Sequence, residues 1–161
     1  MKKIIIIGCP GAGKSTFARA LSATTGIPLF YLDMIWHKAD KTNISREEFD
    51  QRLGGIMTGE SWIIDGNYQR TMERRIKECD TVFLLDFPKE ICLEGAEKRV
   101  GKAREDMPWV EETLDEDFKV FIETFHEKVL VKIYHLLNLY KDKNIIVFKS
   151  REDINHYIEN L

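Results

Sequence analysis

Apolar residues along the chain fall into short runs rich in β-branched side chains, separated by longer stretches with helical spacing. Five such runs predict strands, because a strand covered on both faces needs apolar side chains at successive positions. The predicted strands are Ile4–Ile7, Leu29–Leu32, Trp62–Ile64, Val82–Leu85 and Ile145–Phe148. Short strands that alternate with helices indicate βαβ units around a mainly parallel sheet.

The stretches between these strands predict helices. Ser45 and Glu48 form a capping-box pattern at the start of one helix, and Pro88 opens another. From Leu114 to Tyr140 apolar residues recur every three or four positions, which predicts one long amphipathic helix. The other predicted helices cover 14–25, 45–59, 68–79, 88–102 and 151–160, and the predicted irregular segments are 34–43 and 101–113.

Length and composition indicate one globular domain, residues 1–161, because the chain has 161 residues with 43% apolar and 32% charged side chains. Acidic residues outnumber basic ones, 27 to 24, so we expect no intrinsic nucleic-acid binding. No apolar run approaches the roughly 20 residues of a membrane span. Three cysteines without a metal-binding spacing, and the lack of a signal-peptide pattern, predict free thiols in a cytoplasmic protein.

One motif carries a specific chemistry. Gly8 to Ser15 matches the phosphate-binding loop pattern G-x-x-x-x-G-K-[ST], between a predicted strand and a predicted helix. Backbone N–H groups of such a loop converge on phosphate oxygens, Lys14 contacts the β- and γ-phosphates, and Ser15 offers a hydroxyl to Mg²⁺. The predicted ATP-binding residues are Gly8, Pro10, Gly11, Ala12, Gly13, Lys14, Ser15 and Thr16.

Acidic residues follow three of the predicted strands, and ligands of open parallel sheets lie at the carboxyl ends of strands. Asp65 is expected beside the phosphate-binding loop, where a carboxylate orients Mg²⁺ directly or through water. Asp33, with Trp36 beside it, is a candidate for binding the phosphoryl acceptor. Asp86 precedes Phe87 and Pro88, and a turn or helix cap is the favoured interpretation for it.

Basic residues cluster after two of the strands, as phosphoryl transfer requires cations around the transferred group. The first cluster contains Arg70, Arg74 and Arg75, preceded by Asn67, a further candidate contact of the acceptor. The second contains Lys98, Arg99, Lys102 and Arg104. Simple solvent exposure is the alternative for any single member of either cluster.

With these residues in place, the chain resembles the adenylate-kinase-like P-loop kinases, and more closely the family of DNA topology modulation proteins. The resemblance covers nearly the whole chain. It rests on the segments IIGCPGAGKST, LDMIWH, WIIDGNYQRT and DTVFLLDFPKEICL, and on REDM in the second irregular segment.

The resemblance implies a three-layer α/β P-loop fold with strand order 2-3-1-4-5 and a short lid at about residues 101–113. It implies that Asp65 helps to hold Mg²⁺, that Arg99 meets the β- and γ-phosphates, and that Arg104 is the cation of the lid. The segment DGNYQRT is one residue longer than the DGFPRT of adenylate kinases, so Arg70 and Arg75 are equal candidates for an acceptor phosphate. Gly95 stands where adenylate kinases carry an arginine that stacks on adenine.

Two functions follow as hypotheses. The first is an ATP- and Mg²⁺-dependent phosphotransferase that acts on a nucleotide or another small acceptor, with Lys14, Asp65, Arg99 and Arg104 as catalytic residues. The second is a regulatory ATP-binding protein that is linked to DNA topology and hydrolyses ATP slowly. Transfer of phosphate to an acceptor distinguishes them.

Overall fold

The computed structural model describes residues 1–161 as five parallel strands with helices on both faces. The strands are β1 (Lys3–Gly8), β2 (Leu29–Tyr31), β3 (Trp62–Asp65), β4 (Thr81–Leu85) and β5 (Asn144–Phe148). Their order across the sheet is β2-β3-β1-β4-β5, which confirms the predicted topology. The sheet and its flanking helices form a three-layer α/β P-loop fold.

Eight helices surround the sheet. They are α1 (Lys14–Thr25), α2 (Leu32–Trp36), α3 (Arg46–Met57), α4 (Gln69–Glu78), α5 (Lys89–Arg99), α6 (Glu116–Phe125), α7 (Val131–Asn138) and α8 (Arg151–Glu159). Helices α1 and α8 contact each other on one face. Because the chain reverses its direction across the sheet after β2, right-handed crossovers place α3 to α7 on the other face. None of the helices is both long and apolar enough to cross a membrane.

The central strands are buried on both faces, as their continuous apolar sequence predicts. Ile4 to Ile7 in β1 and Val82 to Leu85 in β4 are fully inaccessible to solvent. Between the sheet and α1, Phe17 packs edge-on against Phe83 with ring centroids 4.9 Å apart. This packing fixes the start of α1 relative to the sheet, and with it the loop that joins β1 to α1.

Two predicted boundaries and one predicted cap differ from the structure. Residues 34–36 are helical rather than irregular: β2 ends at Tyr31, and Asp33 lies in the first turn of α2. Helix α5 ends at Arg99 instead of residue 102. The Ser45 side chain caps α3 by accepting a hydrogen bond from Glu48 N, but the structure has no reciprocal bond to complete a capping box.

The long helix predicted over 114–140 begins at Glu116 and contains a π-helical turn, His126–Leu130, between α6 and α7. The backbone keeps right-handed helical angles at both junctions, so the segment stays one helical rod. A π-turn adds one residue to a turn, which shifts the apolar face relative to a regular α-helix. The spacing of apolar residues alone did not reveal this shift.

Candidate active site

The loop from Gly8 to Ser15 joins β1 to α1 at the carboxyl edge of the sheet. Gly13 caps α1 in a left-handed conformation, and no side chain caps the helix. The N–H groups of Gly13, Lys14, Ser15 and Thr16 have no acceptor within the protein. These free donors and the positive end of the helix form an anion site, as the loop motif predicts.

Close contact with α5 holds this loop in shape. Gly11 has φ of +84°, and a Cβ there would lie 2.0 Å from the carbonyl oxygen of Cys92. A Cβ on Gly95 would lie 2.0 Å from the carbonyl oxygen of Gly11. Cys9 and Cys92 are both buried at this contact, and both are free thiols. Gly11 and Gly95 are therefore required, because a side chain at either position would keep the loop backbone away from the backbone of α5.

Lys14 and Asp65 lie together at the base of the loop. Lys14 Nζ donates to the carbonyl oxygen of Cys9 over 3.2 Å, and burial lowers the pKa of this lysine while Asp65 opposes the shift. Burial raises the pKa of Asp65 to about 6, against the effect of Lys14. A partly compensated charge pair of this kind is typical of functional sites.

Ser15 and Asp65 offer oxygen atoms to a cation. Ser15 Oγ donates to Asp65 Oδ2 over 2.5 Å, and Asp65 Oδ1 is buried without any hydrogen-bond partner. A hydroxyl and a carboxylate are ligands that Mg²⁺ accepts together with phosphate oxygens and water. The unpartnered oxygen means that these two residues fit Mg²⁺.

Two cavities meet at the loop. The first, about 480 Å³, extends from the loop along α5 and is here called the donor cavity. The second, about 490 Å³, lies between the ends of β2 and β3 and the segment 106–118, and is called the acceptor cavity. Five residues line both: Lys14, Ser15, Arg99, Arg104 and Asp106. A group bound at the loop is therefore accessible from both cavities.

Two arginines at this junction are incompletely paired within the protein. Arg99 Nε and Arg104 Nη1 are buried without hydrogen-bond partners, although Arg104 Nη1 lies at ion-pair distance from Asp106 Oδ2, 3.6 Å. Arg104 Nη2 donates to Glu111 Oε1 over 3.2 Å. Burial and the neighbouring Arg104 lower the pKa of Arg99. Guanidinium groups that are close together and incompletely paired form an anion site, so the predicted placement of both arginines at the phosphates remains a proposal supported by this geometry.

The predicted lid, residues 101–113, contains no helix or strand. Gly101 N donates to the carbonyl oxygen of Glu111 over 2.6 Å and closes the segment into a loop. Asp106 of this loop is buried, and Trp109 packs edge-on against His37 with centroids 4.9 Å apart. The loop therefore covers the junction of the two cavities.

Asp33 lies in the acceptor cavity, and Trp36 does not. Asp33 Oδ1 accepts a hydrogen bond from the Tyr68 hydroxyl over 2.6 Å. Trp36 instead packs on Phe49 and lines a separate cavity of about 290 Å³. Because α2 begins at residue 32, positions 33 and 36 project from a helix and not from an extended segment. The aromatic residues that line the acceptor cavity are Tyr68, Trp109 and Phe118.

Asn67 lines the acceptor cavity, but its amide is used to hold the phosphate-binding loop. Its Oδ1 accepts from Gly8 N over 3.0 Å, and its Nδ2 donates to Gly8 O over 2.7 Å. Both ends of the side chain are thus engaged. Asn67 is a positioning residue in this geometry, rather than the free acceptor contact that the sequence suggested.

The two candidate arginines for an acceptor phosphate both lie outside the acceptor cavity. Arg75 is fully buried: it donates to the carbonyl oxygens of Gly66 at 2.9 Å and Tyr68 at 3.1 Å, and also to that of Asn67. Burial lowers its pKa to about 9. Its prediction as an acceptor contact is corrected, because its guanidinium stabilises the turn after β3.

Arg70 forms a two-bond ion pair with Asp50 of α3, over 2.7 and 3.1 Å. It lines the same separate cavity as Trp36. Its helical position places it on the surface between α3 and α4, away from the loop. The prediction that Arg70 contacts an acceptor beside Asp65 therefore has no support from the geometry.

Sequence reasoning missed several lining residues. Tyr68, Asp106 and Trp109 belong to the acceptor cavity, and Asp106 also lines the donor cavity. Arg151, at the start of α8, lines the donor cavity, and its Nη2 lies 3.5 Å from the position of a Cβ on Gly95. The sequence indicated Arg151 only through its position after the last strand, because residues there also lie at the carboxyl edge of the sheet.

Comparisons with known proteins agree with this architecture, although no family model matches the chain. The chain is 30% identical over 94 residues to an adenylate kinase of Thermotoga petrophila, covering 56% of this chain and 42% of that protein. It is 32% identical over 104 residues to an adenylate kinase of Sodalis glossinidius, covering 63% and 47%. The chain thus spans less than half the length of these curated relatives.

Solved structures of similar fold include two kinases. A shikimate kinase from Bacteroides thetaiotaomicron has a TM-score of 0.61 at 14% identity, covering 98% of this chain and 94% of the other. A sugar kinase from Janibacter sp. HTCC2649 has a TM-score of 0.52 at 17% identity, covering 99% and 91%. The chain has the fold of these kinases, and part of its sequence is similar to adenylate kinases.

Proposed function

We propose that this protein is an ATP- and Mg²⁺-dependent phosphotransferase of the adenylate-kinase-like P-loop group. The observation that carries the proposal is the pair of cavities with five lining residues in common. ATP binds in the donor cavity with its γ-phosphate at the junction, and a small acceptor enters from the acceptor cavity. The similarity to adenylate kinases supports the same class of reaction.

Catalysis depends on positioning and on neutralising charge. The free N–H groups of the loop and Lys14 bind the β- and γ-phosphates, and the unpartnered donors of Arg99 and Arg104 stabilise charge on the transferred group. Ser15 and Asp65 would hold Mg²⁺, which when bound supplies positive charge to the phosphates. The loop at 101–113 covers the junction and excludes water.

The competing hypothesis is a regulatory ATP-binding protein, linked to DNA topology, with slow hydrolysis. A hydrolase needs room for only one water molecule beside the γ-phosphate. An acceptor cavity of about 490 Å³, lined by Asp33 and by aromatic side chains, is the specific observation that favours a transferase.

The test follows ³²P from [γ-³²P]ATP into a panel of nucleosides, nucleoside monophosphates, sugars and amino alcohols. We expect labelled product from at least one acceptor class. Lys14→Ala should slow transfer roughly 10²–10³-fold, by analogy with the loss of one preorganised donor. Lys132→Ala, on exposed α7, is the matched control. Label that appears only as inorganic phosphate with every acceptor favours the regulatory alternative.

A further inference from the structure

The acceptor cavity contains no lysine or arginine of its own, because Lys14, Arg99 and Arg104 all line the donor cavity as well. His37 also lines the acceptor cavity, with its Nε2 4.0 Å from Asp33 Oδ1. The residues that line the acceptor cavity alone include four carboxylates and neither lysine nor arginine. These carboxylates are Asp33, Asp65, Glu111 and Asp115.

The two other arginines considered for this site, Arg70 and Arg75, bind other groups of the protein. Arg75 is enclosed by backbone carbonyl oxygens, and Arg70 is paired with Asp50 on the surface. Neither lines the acceptor cavity. The three shared cations face the junction, where the triphosphate of ATP would neutralise them. Glu111 already pairs with Arg104 over 3.2 Å, and Asp65 would face Mg²⁺. A second phosphate in the acceptor cavity would therefore meet Asp33 and Asp115 without a lysine or arginine to balance its charge.

We infer that the acceptor is an alcohol without phosphate or carboxylate groups, either neutral or bearing an amine. This inference rests on the proposed phosphotransferase function and names its substrate class. The aromatic side chains Tyr68, Trp109 and Phe118 provide apolar walls for the body of such a molecule. The carboxylates of Asp33 and Asp115 accept hydrogen bonds from hydroxyl or ammonium groups.

Asp33 is the group that receives the hydroxyl. Its Oδ1 accepts from Tyr68, whereas its Oδ2 accepts no hydrogen bond within the protein. In the reaction, the alcohol oxygen forms a bond to the γ-phosphorus, and the bond between that phosphorus and the β,γ-bridging oxygen breaks. The electron pair leaves with ADP, and the hydroxyl proton passes to the Asp33 carboxylate and then to solvent.

The first experiment compares acceptors that differ only by a phosphate. Adenosine is paired with AMP, thymidine with dTMP, and glucose with glucose 6-phosphate, and kcat/KM is measured for each. We expect the unphosphorylated partner to be preferred by about 100-fold wherever transfer occurs, because like charges in a desolvated cavity repel. Preference for a phosphorylated partner overturns the inference.

A binding experiment tests the inference even if none of the acceptors above is the natural substrate. Di(adenosine-5′) pentaphosphate carries two further phosphates and a second adenosine beyond the ATP portion, and calorimetry with Mg²⁺ compares its affinity with that of ATP. We expect it to bind no more tightly than ATP. Binding about 100-fold tighter, as an occupied phosphate site would give, overturns the inference. Failure of ATP itself to bind would instead reject the proposed phosphotransferase.

A variant that adds a cation provides the matched check. Thr113 lines the acceptor cavity and is exposed, so Thr113→Lys introduces a positive charge there without removing a cap or an ion pair. We expect it to tighten the binding of di(adenosine-5′) pentaphosphate about tenfold at low salt. Asn138→Lys, on the exposed end of α7, adds the same charge outside the cavity and should have no such effect. Equal effects of the two variants contradict the inference.

Discussion

Ser15 Oγ and Asp65 Oδ2 are 2.5 Å apart, although 50 residues separate them along the chain. The register of β1 with β3 explains the contact, because Ile6 pairs with Asp65 and the loop rises directly above that pair. The second oxygen of Asp65 has no partner. The protein thus holds a buried carboxylate where the charges of a bound nucleotide and its cation would act on it most strongly.

The ionisation of Asp65 predicts a pH dependence. Its pKa is raised from 3.8 to about 6, so the folded chain binds this proton more tightly than the unfolded chain does. The free energy of unfolding contributed by this group should therefore fall as pH rises from about 4 to about 6, and then level off. Activity should rise over the upper part of that range, because the ionised form binds Mg²⁺.

Asp65→Asn tests this pH dependence. It should lower kcat/KM about 10²-fold and remove the rise in activity near pH 6. Asp142→Asn, on an exposed turn, should keep the wild-type profile. Activity profiles measured from pH 5 to 8 separate the outcomes, and an unchanged profile for Asp65→Asn would assign the rise to another group.

Arg75→Met should destabilise the fold rather than weaken acceptor binding. The substitution leaves the carbonyl oxygens of Gly66 and Tyr68 buried without donors, at a cost of about 2–5 kcal/mol. Chemical denaturation measures this loss. Arg74→Ala, at the exposed neighbouring position, should cost under about 1 kcal/mol. A stable Arg75 variant with a raised acceptor KM would restore the original assignment of Arg75 to the acceptor.

Two glycine-to-alanine changes in helices should have opposite effects. In Gly95→Ala the added methyl meets the carbonyl oxygen of Gly11 at 2.0 Å, so we expect a loss of about 1–3 kcal/mol and weaker ATP binding. In Gly55→Ala the methyl has no heavy atom within 4 Å, so we expect a gain of about 0.5–1 kcal/mol. Thermal unfolding with and without ATP checks both, and destabilisation of equal size would contradict the close approach at Gly95.

Duplex DNA should bind weakly, because 27 acidic residues outnumber 24 basic ones. We expect a Kd above about 1 μM at physiological salt. Fluorescence anisotropy against salt concentration measures it. Nanomolar affinity with a steep salt slope would reveal a basic surface that net charge does not indicate.

The strands and the phosphate-binding loop could be predicted because their signals are local, and the order of the strands came from the family resemblance. A buried strand, a glycine loop and a helix are encoded within about a dozen residues, and the order of strands agrees with the family resemblance. The position of Trp36 could not be predicted, because it depends on α2 beginning at Leu32 instead of the chain staying extended. Trp109 reaches the cavity only through the path of an irregular loop, which has no periodic signal.

Arg75 shows a different limit. An arginine near a strand end indicates anion binding equally well whether its guanidinium faces a cleft or backbone carbonyl oxygens. The guanidinium of Arg75 faces inward, where the turn at Gly66 to Tyr68 supplies its acceptors. Tertiary packing decides whether the guanidinium faces the cleft or the backbone, and the residue type alone does not indicate which.

Labelling of the three buried thiols can measure local opening of the fold. Cys9 lies in the phosphate-binding loop and Cys92 in α5 against it, whereas Cys79 lies between α4 and β4, at the amino ends of the strands. A thiol reagent can react with each only when that part of the fold opens. A nucleotide that binds and stabilises the loop should slow labelling of Cys9 and Cys92 more than labelling of Cys79. The ratio of these rates would separate local tightening of the loop from general stabilisation of the fold.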